Sequence, residues 1–393
     1  MNRAWTLLML ITAGCAPRTD PHIPSAMTVL KTNWSPVTTF LDSVVKAGAA
    51  PGAVLGVSVA GRRYVYATGR LTRDEPARAE PTTVYDLASL TKVIGLTTAV
   101  MLAVDDGKLE LDAPVQRYLP AFAGEGKERV TIRLLLAHAS GLPAWRPLFR
   151  ETETREQAFA LTDVTPLNSA PGTTEVYSDL GLIVLTQAVE AVYHERLDSL
   201  LAQRIFQPLG MTSVGFLPPE DRARIAPTEL DPWRGRILRG EVHDENAARL
   251  DGVSGHAGLF GSAPDLLTFG EWVVTGVQAD GWRGGQLEHS DRSTVRLSVL
   301  REFTRRQDLV PGSSRALGWD TPTPGGSGGT LLSATSFGHT GFTGTSLWID
   351  PEHQLVIVLL SNRVNPTRAN SSWAPVRARV ADLVMTTLFE DAR

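Results

Sequence analysis

Lysine is scarce in this sequence. Among 38 basic residues it is confined to Lys31, Lys46, Lys92, Lys108 and Lys127, so Lys92, which stands inside an apolar stretch, needs a specific reason to be there. Neither sign of charge dominates, since 42 acidic residues leave a net charge of -4. That balance excludes the electrostatic footprint of a nucleic-acid binder or of a protein held by an anionic membrane surface, and it fits a small neutral or mildly charged substrate. Cysteine occurs once, at Cys15, which excludes an intramolecular disulfide. The histidines lack the His-x-x-x-His and His-Glu-x-x-His helix spacings. His243-Asp244-Glu245-Asn246, His138 and His256 therefore read as loop-shaping hydrogen bonders, and neither a metal nor a cofactor is expected. No Gly-x-Ser-x-Gly elbow joins a strand to a helix, which disfavours the α/β-hydrolase arrangement. Internal repeats and low-complexity blocks are also missing.

No long apolar run is present at the N-terminus either. The stretch Ala4 to Ala13 is about half the roughly 20 residues of a membrane span. It follows Arg3 and precedes small residues, which is the chemistry of an export signal. Ile11-Thr12-Ala13-Gly14-Cys15 resembles a bacterial lipoprotein processing site, with Thr12 in place of the usual aliphatic residue. Lipidation would also give the lone cysteine a use. The expected organisation is a signal peptide over 1–14, a tether over 15–34 behind a lipidated Cys15, and one folded domain over 35–393. The protein would then be anchored facing the periplasm or cell exterior; ordinary signal cleavage to a soluble periplasmic product is the alternative.

Within that domain, Ser35-Pro36 at the start and Gly48 at the end bracket an amphipathic helix containing Val37, Phe40, Leu41, Val44 and Val45. Two β-rich runs around Gly61-Arg62 read as a hairpin. Near the other terminus, 345–350 and 354–362 form a second strand pair, followed by a helix over 375–389. Strand pairs at both ends of the chain predict an α+β, three-layer fold. One antiparallel sheet is assembled from both termini, flanked by helices, with a large, mostly helical insert between. Inside the insert, Ser262-Ala-Pro-Asp265 reads as a capping box with Asp in place of Glu.

Two serines precede a lysine by three residues. Ser43 falls in mid-helix, where its hydroxyl returns to a carbonyl one turn earlier and no free N–H points at it. Ser89 follows the β-prone stretch Thr82 to Tyr85 and opens the apolar run after Lys92, so it belongs in a first helical turn. There, orphan N–H groups and the helix dipole favour developing negative charge. Lys92 shares its helical face.

Two later motifs lie in order: Glu175-Val-Tyr177-Ser-Asp179, and Phe337-Gly-His339-Thr340-Gly341-Phe342-Thr-Gly344 directly before a terminal strand. The set resembles the penicillin-recognising serine hydrolases in their class C branch, which includes esterases, DD-peptidases and proteins like penicillin-binding protein 4B. Stretches 134–143, 208–211, 243–260 and 361–366 are similar as well, and the likeness covers the whole body from about Ser35. The resemblance implies the β-lactamase/transpeptidase-like fold and an acyl-enzyme mechanism. In it Ser89 is the nucleophile, Lys92 and Tyr177 take up its proton, and the N–H groups of Ser89 and Phe342 hold the oxyanion. Asp179, His339, Thr340 and Gly341 would bind substrate, either a small molecule or a peptidoglycan-like peptide. No nucleic-acid partner is expected, and membrane contact only through Cys15.

Two departures bear on substrate. Asp179 stands where β-lactamases carry Asn, and an ionised Asp can only accept hydrogen bonds. It should hold Lys92 charged while opposing a Tyr177 phenolate, so the net effect on Tyr177 stays open at this level. His339 replaces the commoner Lys with a group mostly neutral at pH 7, so small esters gain over substrates bearing a carboxylate. The leading expectation is a serine hydrolase of esters or amides. Alternatives are a β-lactamase, a D-Ala-D-Ala carboxypeptidase, and a binding or scaffold protein that retains the fold without turnover.

Overall fold

The computed structural model describes residues 32–218, 222–278 and 295–389. The expected signal peptide, Cys15 and most of the tether lie outside the described residues. Strands of the main sheet are β1 (Gly52–Val59), β2 (Arg62–Gly69), β3 (Phe337–Thr340), β4 (Ser346–Asp350) and β5 (Leu355–Ser361). The helices used below are α1 (Ser35–Lys46), α2 (Thr98–Asp105), α3 (Asp179–Tyr193), α4 (Ala263–Gln278) and α5 (Ala374–Phe389).

The first hairpin turns at Ala60 and Gly61, whose φ angles of 46° and 78° suit the strand twist as a two-residue turn. The sheet order is β2-β1-β5-β4-β3, antiparallel throughout. The two chain ends therefore meet at β1–β5, where Val54 lies opposite Leu360 and Val57 opposite Ile357. Successive residues face opposite sides. Leu55, Val57 and Val59 of β1 and Leu355, Ile357 and Leu359 of β5 pack against Val37 and Leu41 of α1 and Val380 and Val384 of α5. The intervening Val54, Val356, Val358 and Leu360 join Leu266, Leu267, Phe269 and Val273 of α4. With both faces covered, these strands are apolar almost without interruption, and each such side chain contributes about 1.5–3 kcal/mol on burial.

A polar pair pins the register. Ser58 donates to Glu271 on α4 at 2.5 Å, and Glu271 also receives Arg63 of β2 at 2.8 Å. Slipping the strand by one residue would turn Ser58 away and leave that buried carboxylate short of a donor.

Two local expectations differ from the structure. Ser35 is already helical and its position as cap is taken by Trp34, because Asn33 Oδ1 accepts the Ser35 N–H at 3.1 Å. Asp265 does not close a capping box with Ser262. Its Oδ2 accepts the Ser213 N–H and hydroxyl at 2.6 and 2.7 Å, and Ser213 Oγ accepts the Ser262 N–H at 3.1 Å. A serine from a distant loop thus satisfies the end of α4.

Candidate active site

Ser89 is delivered by a tight turn. Tyr85–Asp86 pairs with Gly261 and Phe260, and helical structure begins at Leu90, one residue after the serine. The N–H groups of Leu90, Thr91 and Lys92 each bond back three residues, to Leu87, Ala88 and Ser89, at 3.0 Å. Lys92–Thr97 is wound as a wide π-helical stretch that leads into α2. Ala88 has φ 47°, a left-handed conformation that a residue with a Cβ adopts only when its surroundings compel it. The buried Asp86 compels it: Oδ1 accepts the Ala88 N–H at 2.8 Å, and Oδ2 accepts the His243 N–H at 2.6 Å.

The Lys92 ammonium is the hub. Nζ lies 3.0 Å from Ser89 Oγ, 2.8 Å from the His256 carbonyl oxygen and 2.8 Å from Asp179 Oδ1. It also sits 5.0 Å from the Tyr177 ring centroid, and the phenol hydrogen-bonds Ser89 and Lys92. Asp179 reaches this point as the first residue of α3, whose cap is Ser178. Burial is the largest influence on Lys92 and opposes its charge, but Asp179 and Tyr177 outweigh it and raise the pKa above its ordinary value. Lys92 is a cation at rest.

For Tyr177, burial comes first and raises its pKa; Lys92 pulls it down and Asp179 pushes it up again. Tyr177 is 36% exposed overall, yet the enclosed hydroxyl is the titrating atom, and its enclosure decides. The net direction that composition left open is upward.

The His339 segment closes the opposite side. Gly341 N–H bonds the Thr345 carbonyl at 2.8 Å, and the hydroxyls of Thr343 and Thr345 donate to the carbonyls of Asp86 and Leu87 at 2.8 and 3.0 Å. This turn is thereby bolted to the backbone just before Ser89. A Cβ on Gly341 would stand 2.5 Å from the Leu87 carbonyl oxygen and nearer still to Thr345 Oγ1, so only glycine permits the approach. Neither the Ser89 nor the Phe342 N–H has an acceptor among the described residues. Two free backbone donors thus lie on adjoining segments, one of them the nucleophile candidate's own.

His339 is buried, with Nδ1 donating to the Thr340 carbonyl at 2.7 Å. Desolvation lowers its pKa to about 4 despite the pull of Asp320, so it is neutral at pH 7. Its ring centroid lies 5.9 Å from that of Tyr177, and His138 lies against the same ring at 4.6 Å. His138, His243 and His256 do shape loops: they bond the Ser178 N–H, Glu229, and both Ser254 and Asp244. They do so around the site. Among the described residues no group of His, Cys, Asp or Glu could hold a metal ion.

Arg315 went unread in the sequence because it lies in an irregular stretch without periodicity. Its guanidinium stands 5.4 Å from the Tyr177 ring centroid and is paired with Glu175 at 2.9 Å and with Asp320. Trp145, Trp233 and Phe342 are exposed aromatics on nearby segments. Trp145 follows Ala144, whose carbonyl accepts the Asp179 N–H at 2.9 Å. Phe149 packs edge-on to Trp233, and Phe342 stacks on His243. Ser43 is excluded as expected, since it donates to the Phe40 carbonyl at 2.7 Å on the exposed side of α1. The letters Gly-Gly-Ser-Gly-Gly at 325–329 do match the Gly-x-Ser-x-Gly spacing, but they fall in a loop that runs from the helix Leu297–Thr304 to β3, the reverse of the strand-to-helix order, and form no elbow.

The Beta-lactamase family matches residues 37–382. A protein of Escherichia coli K12 carrying the provisional name D-alanyl-D-alanine carboxypeptidase is 33% identical over 346 residues, covering 78% of this chain and 75% of its own. Among solved structures, a class C β-lactamase from Rhodobacter sphaeroides superposes with a TM-score of 0.68 at 24% identity, covering 90% of this chain and 99% of the other. EstCE1, a hydrolase with promiscuous acyltransferase activity, gives 0.69 at 23% identity, covering 91% and 99%. At these identities the two structures speak for the fold, which is the one expected. This chain belongs to the Beta-lactamase family and is a serine hydrolase.

Proposed function

We propose that the protein hydrolyses esters or amides of uncharged acyl donors through an acyl-enzyme on Ser89. The observation that carries this reading is the convergence of the Ser89 hydroxyl, the Lys92 ammonium and the Tyr177 phenol. Ser89 Oγ adds to the substrate carbonyl carbon as its proton passes to the Lys92–Tyr177 pair in that pair's less protonated form. The N–H groups of Ser89 and Phe342 donate to the developing oxyanion, and losing one such donor typically costs about 3 kcal/mol. Tyr177 returns a proton to the leaving group. Water then adds to the acyl-enzyme by the same route and frees Ser89.

Charge favours neutral substrates. His339 is uncharged at pH 7, and Arg315 is already engaged by Glu175 and Asp320, so neither offers a substrate carboxylate an uncommitted cation. The exposed side chains of Trp145, Trp233 and Phe342 offer apolar contact. A second reading is a D-alanyl-D-alanine carboxypeptidase, favoured by the name of the Escherichia coli relative.

The purified protein should turn over p-nitrophenyl butyrate with kcat/KM about tenfold or more above that for a chromogenic cephalosporin or a D-Ala-D-Ala peptide, a difference of ~1.4 kcal/mol. Ser89→Ala should lose all three activities. Cleavage of the peptide with an inert ester transfers the assignment to the second reading, and full activity in Ser89→Ala ends both.

We further propose export and acylation at Cys15, supported by Arg3, the apolar run from Ala4 to Ala13 and the small residues before the cysteine. The mature protein should begin at Cys15 and carry a lipid in its intact mass. An unmodified Cys15 would refute this.

A further inference from the structure

We propose that Arg377 is a positioning residue for the oxyanion pocket: its guanidinium fixes the peptide between Gly341 and Phe342 so that the Phe342 N–H faces Ser89. The inference rests on the acyl-enzyme reading above. Arg377 Nη2 donates to the Gly341 carbonyl oxygen at 2.6 Å. That oxygen and the Phe342 N–H belong to one planar peptide unit, so holding the first sets the direction of the second. A cationic donor on the carbonyl also polarises the unit and strengthens its N–H as a donor.

The bonds that anchor the turn to its surroundings fall on other peptides. Thr343 and Thr345 bond the carbonyls of Asp86 and Leu87, the Gly341 N–H bonds Thr345, and Trp373 Nε1 donates to the Gly344 carbonyl at 2.7 Å. Trp373 lies one helical turn before Arg377, so α5 and the residue preceding it reach the turn at two points on one side. On the peptide that carries the Phe342 donor, the Gly341 carbonyl accepts the Gly344 N–H at 3.1 Å from within the turn itself, and among the described residues Arg377 supplies the one side-chain bond, which is also the shorter.

Arg377 is an expensive choice for a merely structural role. Its Nε is sealed from solvent without a partner, and burial together with the nearby Arg363 lowers its pKa to about 10. No carboxylate pairs with it among the described residues. A desolvated cation without a counter-charge weakens a fold, and an apolar side chain would pack at least as well. What the arginine supplies and an apolar residue cannot is the bond to Gly341.

The test compares Arg377→Gln and Arg377→Lys with the unaltered protein on p-nitrophenyl butyrate, alongside the affinity for an aryl boronate that forms a tetrahedral adduct on Ser89. Arg377→Gln should lower kcat about 30-fold, part of the roughly 100- to 1,000-fold that outright loss of an oxyanion donor costs. KM should stay within about twofold and boronate affinity should fall in step with kcat. Arg377→Lys keeps the charge without the planar fork and should lose less, about threefold. Should the Gln variant fail to fold, the Lys variant decides by the same criterion. Unchanged kcat, or a loss seen in KM or thermal midpoint alone, overturns the proposal. If the unaltered protein neither hydrolyses the ester nor binds the boronate, the acyl-enzyme reading itself has failed.

Discussion

Lys92→Met lowers kcat/KM on a neutral ester by about four orders of magnitude. General acid–base groups typically contribute about 100- to 10,000-fold, and groups acting as a unit are lost together, which places this one at the upper end. Lys92 touches Ser89, Asp179 and Tyr177 at once. Without it, burial and Asp179 push the Tyr177 phenol further from ionisation, so both routes for the serine proton close. Methionine fills the vacated space, and Asp179, at the N-terminus of α3 and partly exposed, is stabilised by the helix dipole and water. The stability loss should therefore be modest, about 1–2 kcal/mol, below the usual cost of stranding a buried charge. Denaturant melts separate this from misfolding, and a variant within tenfold of the parent removes Lys92 from the mechanism. The unaltered protein supplies a companion measurement. Both pKa values lie above their ordinary 10.5 and 10.0, so the less protonated pair grows about tenfold per pH unit and kcat/KM should climb from pH 6 to 9 without a plateau. A plateau near pH 7 would mean that the base lies elsewhere.

His339→Gln removes about 3 kcal/mol of the stability difference between pH 7 and pH 4. His339 titrates at about 4 when folded against 6.5 when free, and each unit of difference is worth about 1.4 kcal/mol. The sign follows from proton count. Between those values the unfolded chain binds the proton and the folded chain does not, so acidification favours unfolding. Stability from this residue is complete above pH 6.5 and drains as pH falls through 4. His138, lowered well below its usual value by burial and the surrounding cations, adds in the same direction. Asp163, raised to about 6 by burial, and Asp86, also raised by burial, act oppositely because they hold protons when folded. The raw curve mixes all of these with the carboxylates that partners hold low, such as Glu302 and Asp350, whereas the difference between parent and variant isolates His339. Urea midpoints at pH 7, 5.5 and 4 measure it, and parallel curves would show that His339 is not held neutral.

The two strand pairs, the terminal helices and the turn before α2 were legible because each depends on local rules. Alternating apolar residues make Val54 and Leu55 face opposite layers, Ala60-Gly61 allows the two-residue hairpin, and an apolar run after Ser89 demands a helix. The order of three short motifs was enough to predict that Ser89, Lys92 and Tyr177 converge. Misreadings arose where another side chain took the expected one's place: Ser213, 52 residues away, claimed Asp265, and Asn33, two residues away, took the Ser35 N–H.

Arg315 and Arg377 offered no comparable signal. Their roles depend on Glu175, 140 residues from Arg315, and on Gly341, 36 residues from Arg377, and an arginine in an arginine-rich chain carries no mark of what it will meet.

The sequence by itself determined which groups could do chemistry and in what order along the chain they occur, because side-chain type and periodicity are local properties. Only the tertiary structure decided their charge states and alignment. A buried ammonium, a neutral histidine and a raised phenol owe those states to desolvation and to charges brought close from remote segments, and both depend on distances that no single stretch of chain contains.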